Sequence, residues 1–252
     1  MSAPANRAAL VTGIAGGIGT AIGRALRADK WHVIGLDLSP PDNEEACDCF
    51  LREDLARIGR SEEESLDFGA RLARELGKFS LSLLVNNAAV QRLGRCDELS
   101  WKDWLETLFV NLSAPFALAR LLAPQLRATQ GLIINIGSVH ACATKPGFAA
   151  YATSKAALHG LTRGLAVDLG PQIRVVTLAP AAVDTPMLAA GFQEAQDKLA
   201  ALKTAHPLGR IARPEEVGQA VRFLASEAGA AFMTGSTMWL DGGVLARLHD
   251  PV

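Results

Sequence analysis

The sequence is poor in tyrosine, cysteine and net charge, and each shortage narrows the class of protein. Its 252 residues include one tyrosine and four cysteines, and the net charge is only −1. A nearly neutral chain lacks the excess of lysine and arginine that is typical of nucleic-acid-binding proteins, so no nucleic-acid partner is expected. Four cysteines are too few for a disulfide framework, which favours a reducing, cytoplasmic location.

Metal-binding and membrane-spanning patterns are also absent from the sequence. The cysteines at positions 47, 49, 96 and 142 show no paired CxxC spacing, so no metal site is predicted, and Cys47 and Cys49 are interpreted as small buried hydrophobic residues. The longest apolar runs, LSLLV and GLIINI, are strand-sized and shorter than the roughly 18 residues of a spanning helix. No membrane segment is predicted, and no secretory signal is expected at the N-terminus.

Composition is typical of a soluble globular protein, with 49% apolar and 20% charged residues. A chain of this length forms either one large α/β domain or two small ones. No repeat, low-complexity tract or linker-like shift in composition interrupts it. A single domain over residues 1–252 is therefore predicted.

Short apolar runs alternate with longer segments of helical periodicity along the chain. The runs are AALVTG, HVIGLD, LSLLVNN, GLIINIGS, IRVVTLAP and STMWLDGG, with a further strand near Cys49. This alternation predicts a Rossmann-like, doubly wound parallel sheet of about seven strands with helices on both faces. Only eleven residues separate Asp37 from the strand near Cys49, so the crossover helix there must be short or missing.

Helix signals are clear in the intervening segments. Ser61 and Glu64 form a capping box, and Pro214 marks a helix start. An apolar stripe on a long helix is interpreted as core packing, with pairing to a second copy as the alternative; it comprises Leu105, Leu108, Phe109, Leu112 and Phe116. Residues 184–212 are the least regular region, and we expect them to form a substrate lid.

A glycine-rich loop follows the first strand in TGIAGGIG. Glycines at 13, 17 and 19 allow the backbone to approach a diphosphate at a helix N-terminus. Asp37 ends the second strand, where a carboxylate can accept hydrogen bonds from a ribose 2'-hydroxyl. No basic residue follows at 38 or 39, so NAD is favoured over NADP, although strand-end capping also explains Asp37.

Tyr151 stands four residues before Lys155, which places both side chains on one helix face. Taken without its surroundings, this pair of side chains is explained by ordinary packing on a half-exposed helix. Together with the motifs that surround it, the pair resembles one family, the short-chain dehydrogenases/reductases. The resemblance covers almost the whole chain, through TGIAGGIG, Asp54-Leu55, NNAA, Asn111, Ser138, Tyr151 with Lys155, PAAVDTP and LDGG.

The resemblance implies roles for individual residues. Tyr151 would be the acid/base, Lys155 its activator, Ser138 a substrate-oxygen ligand and Asn111 the anchor of a proton-relay water. Cofactor contacts would come from Gly13, Ala15, Gly17, Ile18, Gly19, Asp37, Asp54, Leu55, Asn87, Ala88, Tyr151, Lys155, Val183 and Thr185. A cation about 4 Å from the phenol is expected to lower the tyrosine pKa towards neutrality.

Two positions depart from the family pattern, because Ala89 and Ala181 stand where glycine is usual. A reshaped substrate cleft is the expected consequence. Gln91 and His140 are further substrate-binding candidates, in placements similar to those of 3-hydroxybutyrate dehydrogenases of the family. That subgroup has a carboxylate-binding lysine where this chain has Phe148.

The leading hypothesis is therefore an NAD(H)-dependent oxidoreductase that interconverts a secondary alcohol, such as a hydroxy acid, sugar or polyol, and its ketone. An NADPH-dependent 3-oxoacyl carrier-protein reductase shares most of these motifs. A non-catalytic NAD(H) sensor is the alternative from a different class. The resemblance also implies a homodimer or homotetramer.

Overall fold

Seven parallel strands form one central sheet in the computed structural model, which describes residues 6–191 and 196–248. The strands are β1 (Arg7–Thr12), β2 (His32–Asp37), β3 (Cys49–Arg52), β4 (Ser80–Asn86), β5 (Leu132–Ile136), β6 (Arg174–Pro180) and β7 (Thr237–Leu240). Their order across the sheet is β3-β2-β1-β4-β5-β6-β7. The order reverses between β1 and β4, at the switch point where doubly wound sheets bind ligands. The predicted Rossmann-like architecture is confirmed.

Ten α-helices in the described residues connect and cover the strands. They are α1 (Gly17–Ala28), α2 (Leu55–Arg60), α3 (Glu62–Leu76), α4 (Trp101–Leu108), α5 (Ala114–Ala128), α6 (Ala149–Leu169), α7 (Pro186–Ala190), α8 (Gln196–Ala205), α9 (Pro214–Ala225) and α10 (Glu227–Ala230). One core cluster joins the sheet to α2, α3, α5 and α6, and a second joins its other face to α1 and α9. Both faces of the sheet are therefore covered, as the continuous apolar strands predicted.

The connection between β2 and β3 confirms the prediction of a short crossover. Only a 3-10 turn at Glu44–Ala46 lies there, with the Asn43 side chain accepting a hydrogen bond from the Glu45 N–H. Helix α1 packs closely on this turn, since a Cβ at Gly23 would lie 1.9 Å from the Ala46 carbonyl oxygen. The predicted helix starts also hold, because Ser61 caps α3 and Pro214 begins α9.

The long helical segment Trp101–Ala128 differs from the prediction in two ways. Its middle, Phe109–Ser113, is a π-helical turn between α4 and α5. The wider turn rotates the helix that follows it, so that a different set of side chains points to the core. The buried side chains are those of Val110, Ala114 and Leu118. The stripe interpreted as core lies at the margin of the core: four members are partly buried, Phe109 packs against the core cluster, and Phe116 is 48% exposed.

The same segment meets the length and hydropathy criteria for a membrane-spanning helix, with a mean hydropathy of 1.3. The sequence prediction missed this because it considered uninterrupted apolar runs. In the fold, 44% of the apolar window is buried and α5 packs on β4, β5 and α3. Core helices of soluble proteins have the same length and composition.

The region predicted to be irregular contains two helices, α7 and α8. Of the predicted lid 184–212, residues 192–195 lie outside the described residues. Its two ends are held together by a bridge between Val183 and Ala212. The segment therefore leaves the end of β6 and returns to it.

Candidate active site

Ser138, Tyr151 and Lys155 meet beyond the carboxyl end of β5. Ser138 follows the strand, and its hydroxyl is hydrogen-bonded to the Tyr151 phenol. Tyr151 and Lys155 lie one turn apart on α6, with the lysine Nζ 5.6 Å from the centroid of the tyrosine ring. The structure brings these three predicted catalytic side chains into one cluster.

Lys155 is 2% exposed, and its Nζ donates a 2.7 Å hydrogen bond to the Ile136 carbonyl. Burial disfavours the ammonium form and lowers the pKa of Lys155 to about 8. The side chain is therefore held in place by the end of β5 and remains largely protonated below pH 8.

The pKa of the Tyr151 phenol is raised by burial, and the hydrogen bond with Ser138 offsets only part of that rise. The net rise means that the cation expected to lower this pKa does not outweigh burial. The Lys155 ammonium lies over the tyrosine ring and donates a hydrogen bond to the Ile136 carbonyl.

Asn111 lies in the π-helical turn and is 1% exposed. Its amide nitrogen donates to the Val90 carbonyl and to the Ser154 hydroxyl, and its Oδ1 accepts from the Val90 N–H. Ser154 donates in turn to the Tyr151 carbonyl. The side chain thus braces α6 between the tyrosine and the lysine, and the prediction of a water anchor remains a prediction.

The glycine-rich loop shapes a cradle between β1 and α1. Gly13 has φ +70°, and a Cβ there would lie 2.8 Å from the Ala88 Cα. At Gly19 an added Cβ would lie only 1.9 Å from the Gly13 carbonyl oxygen. At Gly13 and Gly19, no side chain larger than hydrogen fits without movement of backbone atoms.

The N-terminus of α1 fits a diphosphate. No side-chain cap is present at Gly16, and first-turn N–H groups have no acceptor within a helix. The N–H groups of Gly17, Ile18 and Gly19 are therefore free to bind phosphate oxygens, aided by the helix dipole.

Asp37 extends from the end of β2 to this loop. Its two carboxylate oxygens accept hydrogen bonds from the N–H groups of Ala15, at 3.0 Å, and Leu38, at 2.7 Å. Each oxygen keeps a further lone pair for a ribose hydroxyl. Arg52 is the register neighbour of Asp37 on β3, so its side chain projects on the same face of the sheet.

Asp54 and Leu55 lie where β3 passes into α2. The Asp54 carboxylate caps α2 by accepting from the Ala56 N–H, and Leu55 is 8% exposed. The structure therefore gives both residues structural contacts, and their predicted role at adenine stays a prediction.

Asn87 and Ala88 fasten the end of β4 to the glycine-rich loop. The Asn87 amide donates to the carbonyls of Thr12 and Gly13, while the Thr12 hydroxyl accepts from both N–H groups of the pair. These hydrogen bonds hold the start of the glycine-rich loop against the end of β4. Thr12 was missed in the sequence because a buried threonine at a strand end carries no distinctive signal.

Val183 and Thr185 follow β6 at the opposite side of the cradle. Val183 is 6% exposed, and the Thr185 hydroxyl caps α7 by accepting from the Leu188 N–H. A Cβ on Gly17 would lie 3.2 Å from the Thr185 Cγ2. The start of the predicted lid therefore borders the cradle directly.

His140 and Phe148 form an aromatic wall beside Tyr151. The two rings are stacked with centroids 4.6 Å apart, and each meets the tyrosine ring edge-on, at 5.6 and 6.3 Å. His140 Nδ1 is hydrogen-bonded to Thr144. Phe148 was noted in the sequence only as a missing lysine, and its ring contact with His140 was not foreseen.

Gln91 and Ala181, the other substrate-binding candidates, lie at the borders of the cleft. The loop that carries Gln91 contacts the wall through a backbone hydrogen bond from Gly94 to Gly147. Ala181 lines a cavity of about 50 Å³ with His206 and Asp241. In the described part of the chain neither residue is hydrogen-bonded to Tyr151 or Ser138, so both remain predictions.

Comparisons with known proteins agree with this geometry. A family model described as enoyl-(acyl carrier protein) reductase matches residues 13–245. The human protein "dehydrogenase/reductase SDR family member 4" is 32% identical over 97% of this chain and 89% of its own length. The chain belongs to the short-chain dehydrogenase/reductase family.

Two further members of the short-chain dehydrogenase/reductase family are similar over nearly their full lengths. Trans-4-hydroxycyclohexanecarboxylate dehydrogenase from Sinomonas cyclohexanicum is 32% identical over 96% of this chain and 94% of the relative. A structure of 4-hydroxyisoleucine dehydrogenase complexed with NADH superimposes with a TM-score of 0.86 at 28% identity, covering 96% of this chain and all (100%) of that one. Both relatives are dehydrogenases of hydroxy compounds.

Proposed function

We propose that this short-chain dehydrogenase/reductase interconverts a secondary alcohol and its ketone with NAD(H). The observation that carries the proposal is the cluster of Tyr151, hydrogen-bonded to Ser138, with buried Lys155 one turn away. A bound nicotinamide ring would accept the hydride of the carbinol carbon during oxidation and return it during reduction.

The side chains supply the proton chemistry of this reaction. The Ser138 hydroxyl and the Tyr151 phenol are positioned to bind the same substrate oxygen, since they already share a hydrogen bond. In ketone reduction the phenol donates its proton to that oxygen, and in alcohol oxidation the phenolate removes it. Because burial raises the tyrosine pKa, the protonated phenol is the resting form, and oxidation should become faster as the pH rises.

The preference for NAD(H) rests on Asp37. Its carboxylate repels a 2'-phosphate and retains acceptor capacity for the ribose hydroxyls. The NADPH-dependent carrier-protein reductase is the rival enzyme, and Arg52 beside Asp37 and the description of the matching family model are in its favour.

We propose that residues 184–212 form a substrate lid. Thr185 borders the cradle, and the segment returns to the end of β6 through the bridge between Val183 and Ala212. The half-exposed apolar stripe on α4 and α5 favours a homodimer or homotetramer.

Free thiols at all four cysteines are consistent with a cytoplasmic location.

The test is a screen of secondary alcohols and ketones with both nicotinamide cofactors, repeated with Tyr151→Phe. The variant should lose kcat/KM by about a thousandfold and keep its affinity for NADH, because only the proton donor is removed. Cofactor affinity is measured separately by fluorescence titration. A wild-type chain that binds NADH and converts no substrate would be a sensor, and unimpaired turnover by the variant would refute the proposed role of Tyr151.

A further inference from the structure

One lysine at the rim of the aromatic wall carries an unneutralised charge. The Lys145 side chain is exposed, and its Nζ lies 4.7 Å from the centroid of the Phe148 ring. Within residues 6–191 and 196–248 Lys145 makes no ion pair. On the loop that is bridged to Phe148, Arg92 is held by Glu106 at 2.7 Å and Arg95 lies 3.9 Å from Asp97. Among the described residues of this rim, Lys145 is therefore the cation without an ion-pair partner.

The wall below this cation is a stack of two partly buried rings. The planes of His140 and Phe148 are parallel, with 2° between them and 4.6 Å between the ring centroids, and Tyr151 meets them at angles of 81° and 83°. Burial, and then the charge of Lys145, lower the pKa of His140, so the imidazole is neutral near pH 7. The stacked rings offer dispersion contacts to a compact substrate body and add no second positive charge.

The opposite side of the mouth carries one exposed apolar side chain. A bridge between Gly94 and Phe148 fixes the loop that follows Gln91 against the wall, and Leu93 on that loop is 56% exposed. A substrate that enters between this loop and the wall can contact Leu93 on one side and the stacked rings on the other. The charge of Lys145 lies at the rim of this entrance.

We propose that the substrates are hydroxy acids in which a cyclic or branched apolar body separates the carbinol from a carboxylate. The carbinol binds at Tyr151 and Ser138, the body lies on the rings of His140 and Phe148, and the carboxylate pairs with Lys145. This inference rests on the proposed function, and it makes Lys145 and Phe148 the residues that determine substrate class.

The test compares 4-hydroxycyclohexanecarboxylate with its methyl ester as substrates of the wild-type enzyme and of Lys145→Met. Removal of the ammonium should lower kcat/KM for the acid about fivefold and leave the ester within about twofold, as for an exposed ion pair. The acid preference of the wild type should also weaken with added salt, because surface charges are screened.

Lys78→Met is the matched control. Lys78 also lies over a phenylalanine ring, Phe79, with its Nζ 5.7 Å from the centroid, but it sits at the opposite edge of the sheet. This variant should leave both substrates unchanged. Phe148→Leu should lower kcat/KM for the cyclic acid about fivefold and affect the acyclic acid 3-hydroxybutyrate less, since it removes a stacking surface.

Equal kcat/KM for the acid and the ester, or an acid-to-ester ratio that Lys145→Met does not change, would overturn the inference. Such a result would leave the proposed function intact, because turnover itself is preserved. The proposed function fails separately, when no alcohol or ketone of any class is converted.

Discussion

The glycine-rich cradle and the aromatic wall lie at the same edge of the sheet but are built from different parts of the chain. Backbone atoms form the cradle, where an added Cβ at Gly19 would lie 1.9 Å from a carbonyl oxygen. Side-chain rings form the wall, with centroids 4.6 to 6.3 Å apart. The wall can thus be altered by exchanging side chains without disturbing the cradle, so the proposed substrate contacts can vary independently of the proposed cofactor site.

The sharpest test of this difference is Gly19→Ala. The methyl group must displace the backbone at Gly13, so we expect a loss of about 3 kcal/mol in the free energy of unfolding. NADH affinity should fall with it, by about a hundredfold, because the phosphate-binding N–H groups move. Urea unfolding and fluorescence titration measure the two effects.

Gly164→Ala provides the control for this variant. Gly164 lies inside α6 with nothing within 4 Å of an added Cβ, so alanine should stabilise the chain by up to about 1 kcal/mol. If the two variants behaved alike, the cradle would not be defined by its backbone contacts.

A second prediction concerns Asp37, whose carboxylate accepts a hydrogen bond from the glycine-rich loop. Asp37→Asn should shift the ratio of kcat/KM for NAD and NADP by about a hundredfold towards NADP, because like charges no longer oppose each other. Arg52 should supply the cation for the 2'-phosphate, since it is adjacent across the sheet.

Adding Arg52→Met to Asp37→Asn tests that explanation. The double variant should lose most of the gain with NADP and keep its rate with NAD. An undiminished gain would show that another cation binds the phosphate.

The smallest expected effect belongs to His159, which lies one turn beyond Lys155 on α6 and contacts the ring of Trp239. His159 is 7% exposed and its Nε2 has no hydrogen-bond partner in the described residues. Burial, followed by the charges of Lys155 and Arg163, lowers its pKa from 6.5 to about 4. The unfolded chain therefore binds the proton first, and stability present above pH 6.5 is lost as the pH falls towards 4.

Between pH 8 and pH 5, this residue should cost the wild type about 2 kcal/mol of unfolding free energy. His159→Leu should lack that part of the pH dependence, as measured by urea unfolding at both pH values. An identical loss in the variant would assign the acid sensitivity to other groups.

Features set by local sequence could be predicted, whereas contacts between distant residues could not. The strands, the short crossover before β3 and the glycine-rich cradle follow local rules of periodicity and backbone geometry, which a sequence records directly. The ring stack of His140 on Phe148 and the register contact of Asp37 with Arg52 join residues that only the folded chain brings together. The pKa of Tyr151 was mispredicted for the same reason, because burial is a property of the whole fold.

The π-helical turn at Phe109–Ser113 makes the length of this segment as important as its composition. One residue more than an α-helix needs is accommodated there, and that surplus directs the Asn111 amide at both Val90 and Ser154. Removing one of the other four residues of this turn should restore a regular α-helix and rotate the Asn111 side chain away from both partners. We expect this variant, although its helix is more regular, to have a lower kcat/KM than the wild type.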